Sequence, residues 1–399
     1  MPADLTRQEM SEQFETELKS NILPFWMHQT VDHKNGGFYG AITNDLRIHN
    51  EVERSAVLCS RILWTFSTAA RLYGEESYLR TARWAFDDLS TRFWDGQFQG
   101  MYWSVDRFGH PVNDRKHTYA QAFAIYGLSA FYQASGSMES LGLAQQIYRL
   151  IETHTFDSDH GGNIECRARD WSVLGDMRLS DKEIDSAKSM NTLLHLMEAY
   201  AALAQVWPDP GLRGKLSGLV QIFLDRVIDP RSGHQRLFFD PQWTSLSDHI
   251  SYGHDIETSW LLLEAAEVVN NPVLLERARK TGVMMAQTVY DQSFGADGSI
   301  LYEADPAGLR VEARHWWAHA EAVVGFYNAY QLSGQEHLAH AAGQVWDYIQ
   351  KHFVDRQNKD WFKQLRPNGE PVLEQIKVGP WECPYHHARM CYEMIGRLK

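Results

Sequence analysis

The sequence predicts an all-α protein, an (α/α)6 barrel of six inner and six outer helices with short β-hairpins in the connecting loops. The first observation is a repeat: a turn followed by an aromatic, strand-like run recurs at intervals of 60, 65, 72, 65 and 62 residues. The second is a pair of helical patterns, with apolar residues three or four positions apart, after most of these turns. The third is a lone helix at each end of the chain. Repeats of this kind indicate units that stack on their neighbours.

The elements follow one another in a regular order. The turns lie near Gly36, Gly96, Gly161, Gly233, Gly298 and Asp360. The helical spacing of apolar residues predicts inner helices at residues 53–73, 118–134, 189–206, 254–269, 314–332 and from 384 onward. It predicts outer helices at residues 5–27, 77–93, 141–155, 212–227, 272–290 and 336–353.

Closure of the ring follows from the two ends of the chain. The first helix has no partner of its own, and neither does the helix that begins at Pro384. The first helix can therefore complete the unit that the last turn opens, which closes six pairs and leaves no open solenoid. No linker rich in Pro, Gly or Ser divides the chain. We therefore expect residues 1–399 to form a single catalytic domain.

Charge and composition exclude several classes of partner. The net charge is 38 − 51 = −13 without a basic stripe, so nucleic acid is not an expected partner. No apolar run approaches the roughly 18 residues of a membrane span, and the first residues lack the pattern of a signal peptide. The four cysteines show no CxxC spacing, which indicates free thiols. We expect a cytoplasmic monomer or homodimer.

Polar and aromatic residues collect at the starts of the predicted inner helices. In such a ring the inner helices all point the same way, so their N-terminal ends surround one mouth. A lone histidine on an apolar helix is more often a core residue than a catalyst, but five of the six starts carry one. We therefore expect one pocket to be lined by Arg54; His117 and Tyr119; Asn191 and His195; His254 and Glu257; His315, Trp316, Trp317 and His319; and Trp381, His386 and His387.

The last of these starts combines three useful features. Pro384 suits the first turn of a helix, so His386 and His387 face the positive end of the helix dipole. That field disfavours imidazolium and keeps a histidine neutral and able to accept a proton. Trp381 offers an aromatic face on which the apolar face of a sugar can pack. Periodicity alone does not choose between the two histidines.

Two other chemistries have to be weighed. A metal centre could use His315 with His319, or His254 with Glu257, but no HExxH or comparable ligand spacing occurs. We therefore expect neither a metal nor a cofactor. Glycoside hydrolysis needs two opposed carboxylates, for which Asp185 and Glu257 are available.

The surplus of histidines instead suits proton transfer at a carbon atom. The pKa of histidine lies near neutrality, as the abstraction and return of a proton at a weakly acidic carbon requires. Two histidines on opposite sides of one carbon can remove a proton from one face and return it to the other, which is an epimerisation. A nearby arginine would stabilise the charge of an enediolate.

Four segments, in order along essentially the whole chain, carry a family resemblance. The segments are Ser189-Met-Asn191-Thr-Leu-Leu-His195, Ser251-Tyr-Gly-His254-Asp-Ile-Glu257, Arg314-His-Trp-Trp317-Ala-His-Ala-Glu321 and Pro380-Trp381-Glu-Cys-Pro-Tyr-His386. They resemble the N-acylglucosamine 2-epimerase superfamily and, within it, the cellobiose 2-epimerases. The resemblance implies an (α/α)6 barrel that interconverts gluco- and manno-configured reducing sugars at C2. It also implies that no metal is used and that the reaction passes through a cis-enediolate of the ring-opened sugar.

The resemblance further implies roles for individual residues. His254 and His386 would be the acid/base pair, and Glu257 would tune or orient the site. Arg54 and His195 would contact the O1 and O2 oxygens and assist ring opening. Hydrogen bonds to the sugar or stacking on its rings would come from Tyr119, Asp185, Asn191, Trp317 or its neighbour Trp316, and Trp381.

The outcome of the reaction and the size of the sugar stay open at this stage. The same enediolate serves mannose isomerases, which form a ketose, so an aldose–ketose isomerase is the first alternative. An (α/α)6 glycoside hydrolase and a non-catalytic sugar-binding barrel are the others. Residues 172–183 and 240–249 are expected to decide whether cellobiose- or lactose-type disaccharides fit, or only free glucose and mannose.

Overall fold

A computed structural model describes residues 7–180, 183–305, 307–308 and 310–399, and its helices form an outer and an inner layer. In this part of the chain the outer layer consists of six helical segments, three of which contain a π-helical turn. They are α1 and α2 (Arg7–Glu17 and Leu23–His28, joined by the π turn Leu18–Ile22), α4 (Glu76–Arg92), α6 (Met138–His154), α8 (Pro210–Ile222, continued by Phe223–Val227), α10 (Pro272–Ser293) and α12 (Glu336–Tyr348, continued by Ile349–Phe353).

The inner layer closes into a ring. Its helices are α3 (Ala56–Tyr73), α5 (Thr118–Ser135), α7 (Met190–Val206), α9 (Tyr252–Val269), α11 (Trp316–Ser333) and α13 (Tyr385–Arg397). Each contacts the next, and α13 contacts both α11 and α3, while α1 packs on α13 to complete the last pair. The predicted (α/α)6 barrel is therefore confirmed, with helix ends within three residues of those expected. Leu5 and Thr6 of the first predicted helix lie outside the described residues, and the assignment of 1–399 to one domain stays a prediction.

The two layers differ in the residues that they bury. The outer helix α4 buries Tyr78, Ala82, Ala85 and Leu89, which recur every three or four positions on one face. Inner helices such as α9 are buried on nearly all sides, because each contacts two inner neighbours as well as the outer layer. The core of the protein is therefore the wall between the two rings of helices.

Short strand pairs link consecutive units around one mouth of the barrel. The strand just before each inner helix pairs with the strand in the loop of the following unit. The pairs are Arg54–Ser55 with Ser104–Val105, Lys116–His117 with Cys166–Arg167, Lys188–Ser189 with Phe238–Phe239, Ile250–Ser251 with Glu303–Ala304, Arg314–His315 with Gln364–Leu365, and Ile376–Val378 with Ile42–Thr43. The last pair joins the two ends of the chain, so the strands close the ring as the helices do.

A buried cation in several of these strands holds the turn of its own unit. Lys116 Nζ lies 3.0 Å from Asp95, Lys188 Nζ lies 2.7 Å from Asp157, and Lys377 Nζ lies 2.8 Å from Asp355. In each case the aspartate also accepts backbone N–H groups of the turn that follows it, through its other oxygen. Each ion pair thus fixes the loop that leads into an inner helix.

Two further expectations bear on the fold as a whole. The four cysteines, Cys59, Cys166, Cys383 and Cys391, are buried free thiols, as their spacing indicated. Among the described residues, no helix has the length and apolar content to cross a membrane.

Candidate active site

Charged and titratable side chains collect at one depth of the barrel, here called the histidine level. Arg61, His195, Glu257 and Glu321 are each the sixth residue of an inner helix. Because the inner helices start at the same mouth and run in parallel, residues at the same position lie at a similar depth. Helix α13 adds His386 and Arg389 to this level. The ring therefore brings charged groups from five of its six helices together.

Arg389 lies at the centre of this level. Its Nη1 is 2.6 Å from Glu198 Oε1, and its Nη2 is 2.5 Å from Glu257 Oε1 and 2.6 Å from Glu321 Oε1. Tyr385 donates its hydroxyl hydrogen to Glu198 at 2.6 Å. All of these groups are buried, so they interact at a low effective dielectric. One guanidinium thus ties α7, α9 and α11 to α13.

The carboxylates in turn orient two histidines. His386 Nδ1 lies 2.6 Å from Glu321 Oε1 and 3.8 Å from Glu257 Oε1. His195 Nδ1 lies 3.0 Å from Glu198 Oε2. In each ring Nδ1 is occupied, so Nε2 is the nitrogen available to a ligand.

His254 is held by a different partner. Its Nδ1 lies 2.8 Å from the Oγ of Ser251, at the start of α9. The corresponding serines Ser55 and Ser189 instead accept hydrogen bonds from backbone N–H groups of their helices. At α9 the serine therefore orients a histidine in place of capping the helix.

Both members of the expected acid/base pair are held in the neutral form. Burial lowers the pKa of His254 to about 4, although the nearby Glu257 opposes this. Burial, followed by the positive charges of Arg61 and Arg389, lowers the pKa of His386 well below its usual value. Each imidazole is thus uncharged near neutral pH and keeps a nitrogen lone pair that can accept a proton.

Tryptophan and tyrosine side chains form the walls. The Trp317 ring centroid lies 4.8 Å from that of His254 and 5.4 Å from that of His386, so this indole contacts both histidines. A Cβ at Gly253 would come within 2.6 Å of Trp317, which explains the glycine before His254. Trp381 contacts the ring of Tyr119, at a centroid distance of 5.7 Å.

The structure distinguishes Trp316 from Trp317. Trp316 is only 3 % exposed and lies between His387 and the Lys363 ammonium, which is 4.2 Å from its ring centroid. Trp316 also contacts the ring of His386, at a centroid distance of 5.5 Å, but it is buried in the wall. Trp317 is partly exposed and contacts both His254 and His386, so it is the better candidate for stacking on a sugar, and both tryptophans stay predictions.

The contacts of Arg54 do not favour the role expected for it. Arg54 binds Asp32 at 2.5 Å and the carbonyl of Gly36, as the lysines of the other units bind their own turns. Like Lys116 and Lys188, it lies two residues before an inner helix. Arg54 therefore belongs to the strand before the helix and binds the turn of its own unit.

Arg61 is the arginine that reaches the histidine level, and sequence reasoning missed it. Its Nη2 donates to the hydroxyl of Tyr119 at 2.9 Å, and its Nη1 lies 3.3 Å from the Sγ of Cys383. The guanidinium carbon is 4.2 Å from the ring centroid of Phe123. Its position in α3, which matches that of His195 and Glu257 in their helices, is the signal that could have identified it.

In the loop before α7, Asp185 does not lie where the sequence analysis expected it. Asp185 is exposed and accepts a hydrogen bond from the backbone N–H of Met177, so the structure does not bring it to the histidines. Glu183 lies in the same loop; burial raises its pKa to about 7, and its charge acts on Tyr119. Asn191 is half-buried, its Oδ1 has no hydrogen-bond partner among the described residues, and its expected hydrogen bond to the sugar stays a prediction.

The remaining histidines of the helix starts have structural partners. His387 Nε2 lies 2.6 Å from Asp360, and His319 Nε2 accepts the backbone N–H of Ile300. His315 stacks on Tyr302, and His117 is completely buried. The expectation that all of these side chains share one pocket is therefore too broad.

A metal ion has to be considered at one cluster. Ligand-type atoms of Glu257, Glu321 and His386 lie within 4.8 Å of one another. However, the Nη2 of Arg389 contacts an oxygen of both carboxylates, so a guanidinium already lies between them. These residues fit an internal cation better than a metal, and metal independence stays a prediction.

The fold, together with the side chains near the N-terminal ends of the inner helices, defines the class of protein. It is an (α/α)6-barrel enzyme whose candidate site is built from histidines, glutamates, arginines and tryptophans. The chain belongs to the N-acylglucosamine 2-epimerase (GlcNAc 2-epimerase) family, whose model matches residues 37–390. It is a carbohydrate epimerase, of the isomerase class, as its relatives support. The resemblance found in the sequence is thereby confirmed.

Individual relatives cover the whole length of the chain. It is 39 % identical to a cellobiose 2-epimerase of Bacteroides fragilis over 394 residues, 98 % of this chain and 99 % of that protein. A solved cellobiose 2-epimerase from Bacillus thermoamylovorans superposes with a TM-score of 0.93 at 37 % identity, over 98 % of this chain and 100 % of that one. A D-mannose isomerase superposes with a TM-score of 0.82 at 19 % identity, covering 96 % and 97 % of the two chains, which shows a shared fold alone.

Proposed function

We propose that this protein epimerises reducing sugars at C2, with cellobiose- or lactose-type disaccharides as the preferred substrates and free glucose and mannose as smaller ones. The observation that carries the proposal is that one indole, Trp317, contacts both His254 and His386. A sugar stacked on that indole would lie within reach of both imidazoles. The disaccharide preference is supported by the cellobiose 2-epimerases among the relatives.

In the proposed reaction, one imidazole removes the C2 proton of the ring-opened aldose and leaves a cis-enediolate. The intermediate turns about its C2–C3 bond, and the second imidazole protonates the other face. Arg61, rather than Arg54, stabilises the negative oxygens, because its guanidinium lies beside Tyr119 at the histidine level. His195 donates to the O1 and O2 region from its Nε2, while Glu198 fixes its Nδ1.

A glycoside hydrolase would need Asp185 and Glu257 as two opposed carboxylates, and their positions do not support this alternative. Asp185 is exposed in a loop, and Glu257 is bound to Arg389, so they do not face each other across a pocket. The segment expected to set sugar size, residues 172–183, includes residues 181 and 182, which lie outside the described residues. Cytoplasmic location and the monomeric or dimeric state remain predictions.

The test is incubation with cellobiose, lactose, glucose and mannose in D2O, followed by NMR and chromatography. We expect deuterium at C2 of both epimers and a larger kcat/KM for the disaccharides. A ketose as the main product would indicate an aldose–ketose isomerase. No deuterium at C2 of any of these sugars would refute the proposal, and sugar binding without any product would indicate a binding protein.

A further inference from the structure

Arg389 and the three glutamates that contact it would carry more negative than positive charge if all four were ionised. Glu198, Glu257 and Glu321 are 7 %, 1 % and 1 % exposed, and they share this one guanidinium. Three ionised carboxylates would leave a net charge of about −2 in the interior, which is strongly disfavoured. At least one of the three is therefore expected to hold a proton.

The contacts of each carboxyl differ. Glu198 accepts from Tyr385 and Arg389 and contacts His195, so it is the best stabilised anion. Burial would raise the pKa of Glu198, but Arg389 and these hydrogen bonds lower it to about 2. This carboxyl is therefore ionised and does not hold the proton.

Glu321 is the carboxyl in closest contact with His386, and it shares Arg389, whose Nη2 lies 2.6 Å from its Oε1, with Glu257. Its Oε2 accepts the indole N–H of Trp260 at 3.2 Å, and its Oε1 lies 2.6 Å from His386 Nδ1. Burial, assisted by the charge of Glu257 and opposed by Arg389, raises the pKa of Glu321 to about 8. A proton on Oε1 would point at His386.

Epimerisation needs such a proton. One of the two imidazoles must be free to accept a proton, and the other must deliver one to the opposite face of the same carbon. Yet the burial of His254 and His386 keeps both rings uncharged before the sugar reacts. An uncharged imidazole can give up its Nε2 proton only if its Nδ1 receives another proton at the same time.

We infer that the Glu321 carboxyl is the proton store of the reaction and delivers its proton through the ring of His386. This inference rests on the proposed function. In one direction His254 takes the C2 proton. His386 then gives its Nε2 proton to the enediolate carbon while its Nδ1 takes the proton of Glu321. The products are the epimer, a protonated His254, an uncharged His386 and a Glu321 carboxylate.

The reverse direction uses the other protonation state. His386 Nε2 takes the C2 proton and its Nδ1 proton returns to Glu321, while His254 protonates the opposite face. The two enzyme forms differ by the position of one proton and exchange through solvent between turnovers. Glu321 acts through His386 and is a positioning and proton-storing residue that does not touch the sugar.

The test joins infrared spectroscopy and kinetics on the full-length protein. Other buried carboxyls also have a raised pKa, for example Glu165. The spectrum of Glu321→Gln at neutral pH is therefore subtracted from that of the wild type. We expect the difference to contain the C=O stretch of a protonated carboxyl, which shifts in D2O and disappears at alkaline pH. We also expect Glu321→Gln to lower the rate of C2 exchange by a factor of about 100 or more with a near-native circular dichroism spectrum.

Glu321→Asp is the second variant, because it keeps a carboxyl that titrates. We expect it to restore part of the exchange rate and to give a pH profile with a displaced alkaline limb. A difference spectrum without the protonated-carboxyl band, or full exchange in Glu321→Gln, would overturn the inference even if wild-type exchange is normal. Absence of exchange in the wild type would instead reject the proposed function, and the inference with it.

Discussion

His386 and His387 are neighbours in the chain, yet their rings bind carboxyl groups on different elements. His386 Nδ1 lies 2.6 Å from Glu321 on α11, whereas His387 Nε2 lies 2.6 Å from Asp360 in the loop before the last strand pair. Successive residues of a helix point about 100° apart, so one ring faces the barrel interior and the other faces the wall. The sequence pattern could not make this distinction, and the side-chain contacts do.

The first prediction compares alanine variants of these two residues. His386→Ala should abolish deuterium exchange at C2 and leave sugar binding measurable by calorimetry. His387→Ala should keep most of the exchange rate per folded molecule. It should lower the free energy of unfolding by roughly 1–3 kcal/mol, because Asp360 loses a buried partner. Retained exchange in His386→Ala would mean that another group is the base.

The second prediction separates the two arginines. Arg54→Lys should retain activity, with unfolding weakened by about 1 kcal/mol, because lysine fills this position before α5 and α7. Arg61→Lys should lower kcat/KM about 100-fold, since an ammonium cannot replace a forked guanidinium at an enediolate. Steady-state kinetics and urea unfolding measure both. A larger loss of kcat/KM in Arg54→Lys would restore the original assignment.

The third prediction separates the two tryptophans. Trp317→Ala should raise KM about tenfold for disaccharides, because a stacking face is lost, while the melting temperature changes little. Trp316→Ala should instead lower the free energy of unfolding by about 3–5 kcal/mol, because it empties a buried site in the wall. The prediction fails if Trp316→Ala changes KM and Trp317→Ala does not.

The fourth prediction concerns acid stability and uses His319. Burial lowers its pKa in the folded protein to about 3, against about 6.5 in the unfolded chain. Above pH 6.5 the His319 imidazole is neutral in both the folded and the unfolded protein, so it adds no pH dependence to the free energy of unfolding. As the pH falls from 6.5 towards 3, only the unfolded chain takes up this proton, so stability is lost.

Comparison with His319→Gln isolates this single titration. The stability of the wild type relative to the variant should fall by about 1.4 kcal/mol per pH unit between about pH 6 and pH 4. Urea unfolding at a series of pH values measures the difference. A constant difference across that range would show that His319 titrates normally.

The fifth prediction concerns divalent ions. Because Arg389 lies between Glu257 and Glu321, dialysis against a chelator should leave the rate of C2 exchange unchanged. Elemental analysis of the dialysed protein is the control. Loss of activity that a single metal restores would contradict this view of the cluster.

The fold was predictable because its signals repeat. The turns near Gly36 and Asp360 mark equivalent points of the first and last units, and unpaired end helices imply closure. The site was only partly predictable. His254 and His386 were proposed from segments of sequence. Arg54 was proposed because it lies just before an inner helix, without a comparison of equivalent positions in the six units. That comparison pairs Arg54 with Lys116, and both side chains bind an aspartate in the turn of their own unit.

The charged residues deeper in the helices were missed for a different reason. Glu198 and Arg389 lie three positions after His195 and His386, on the same helix faces. Glutamate and arginine within a helix usually face solvent, so their burial depends on the ring and not on local sequence. Only the tertiary structure shows that one guanidinium joins three carboxyls from three helices.

The strand pair between Ile42–Thr43 and Ile376–Val378 has a consequence for synthesis of the protein. Since α1 packs on α13, the apolar face of α1 stays uncovered until the much later residues of α13 have been synthesised. His386 and Arg389 lie on the same late helix. A nascent chain that has not reached α13 would therefore have exposed apolar surface and an incomplete cluster of charged residues, and we expect chaperones to bind it.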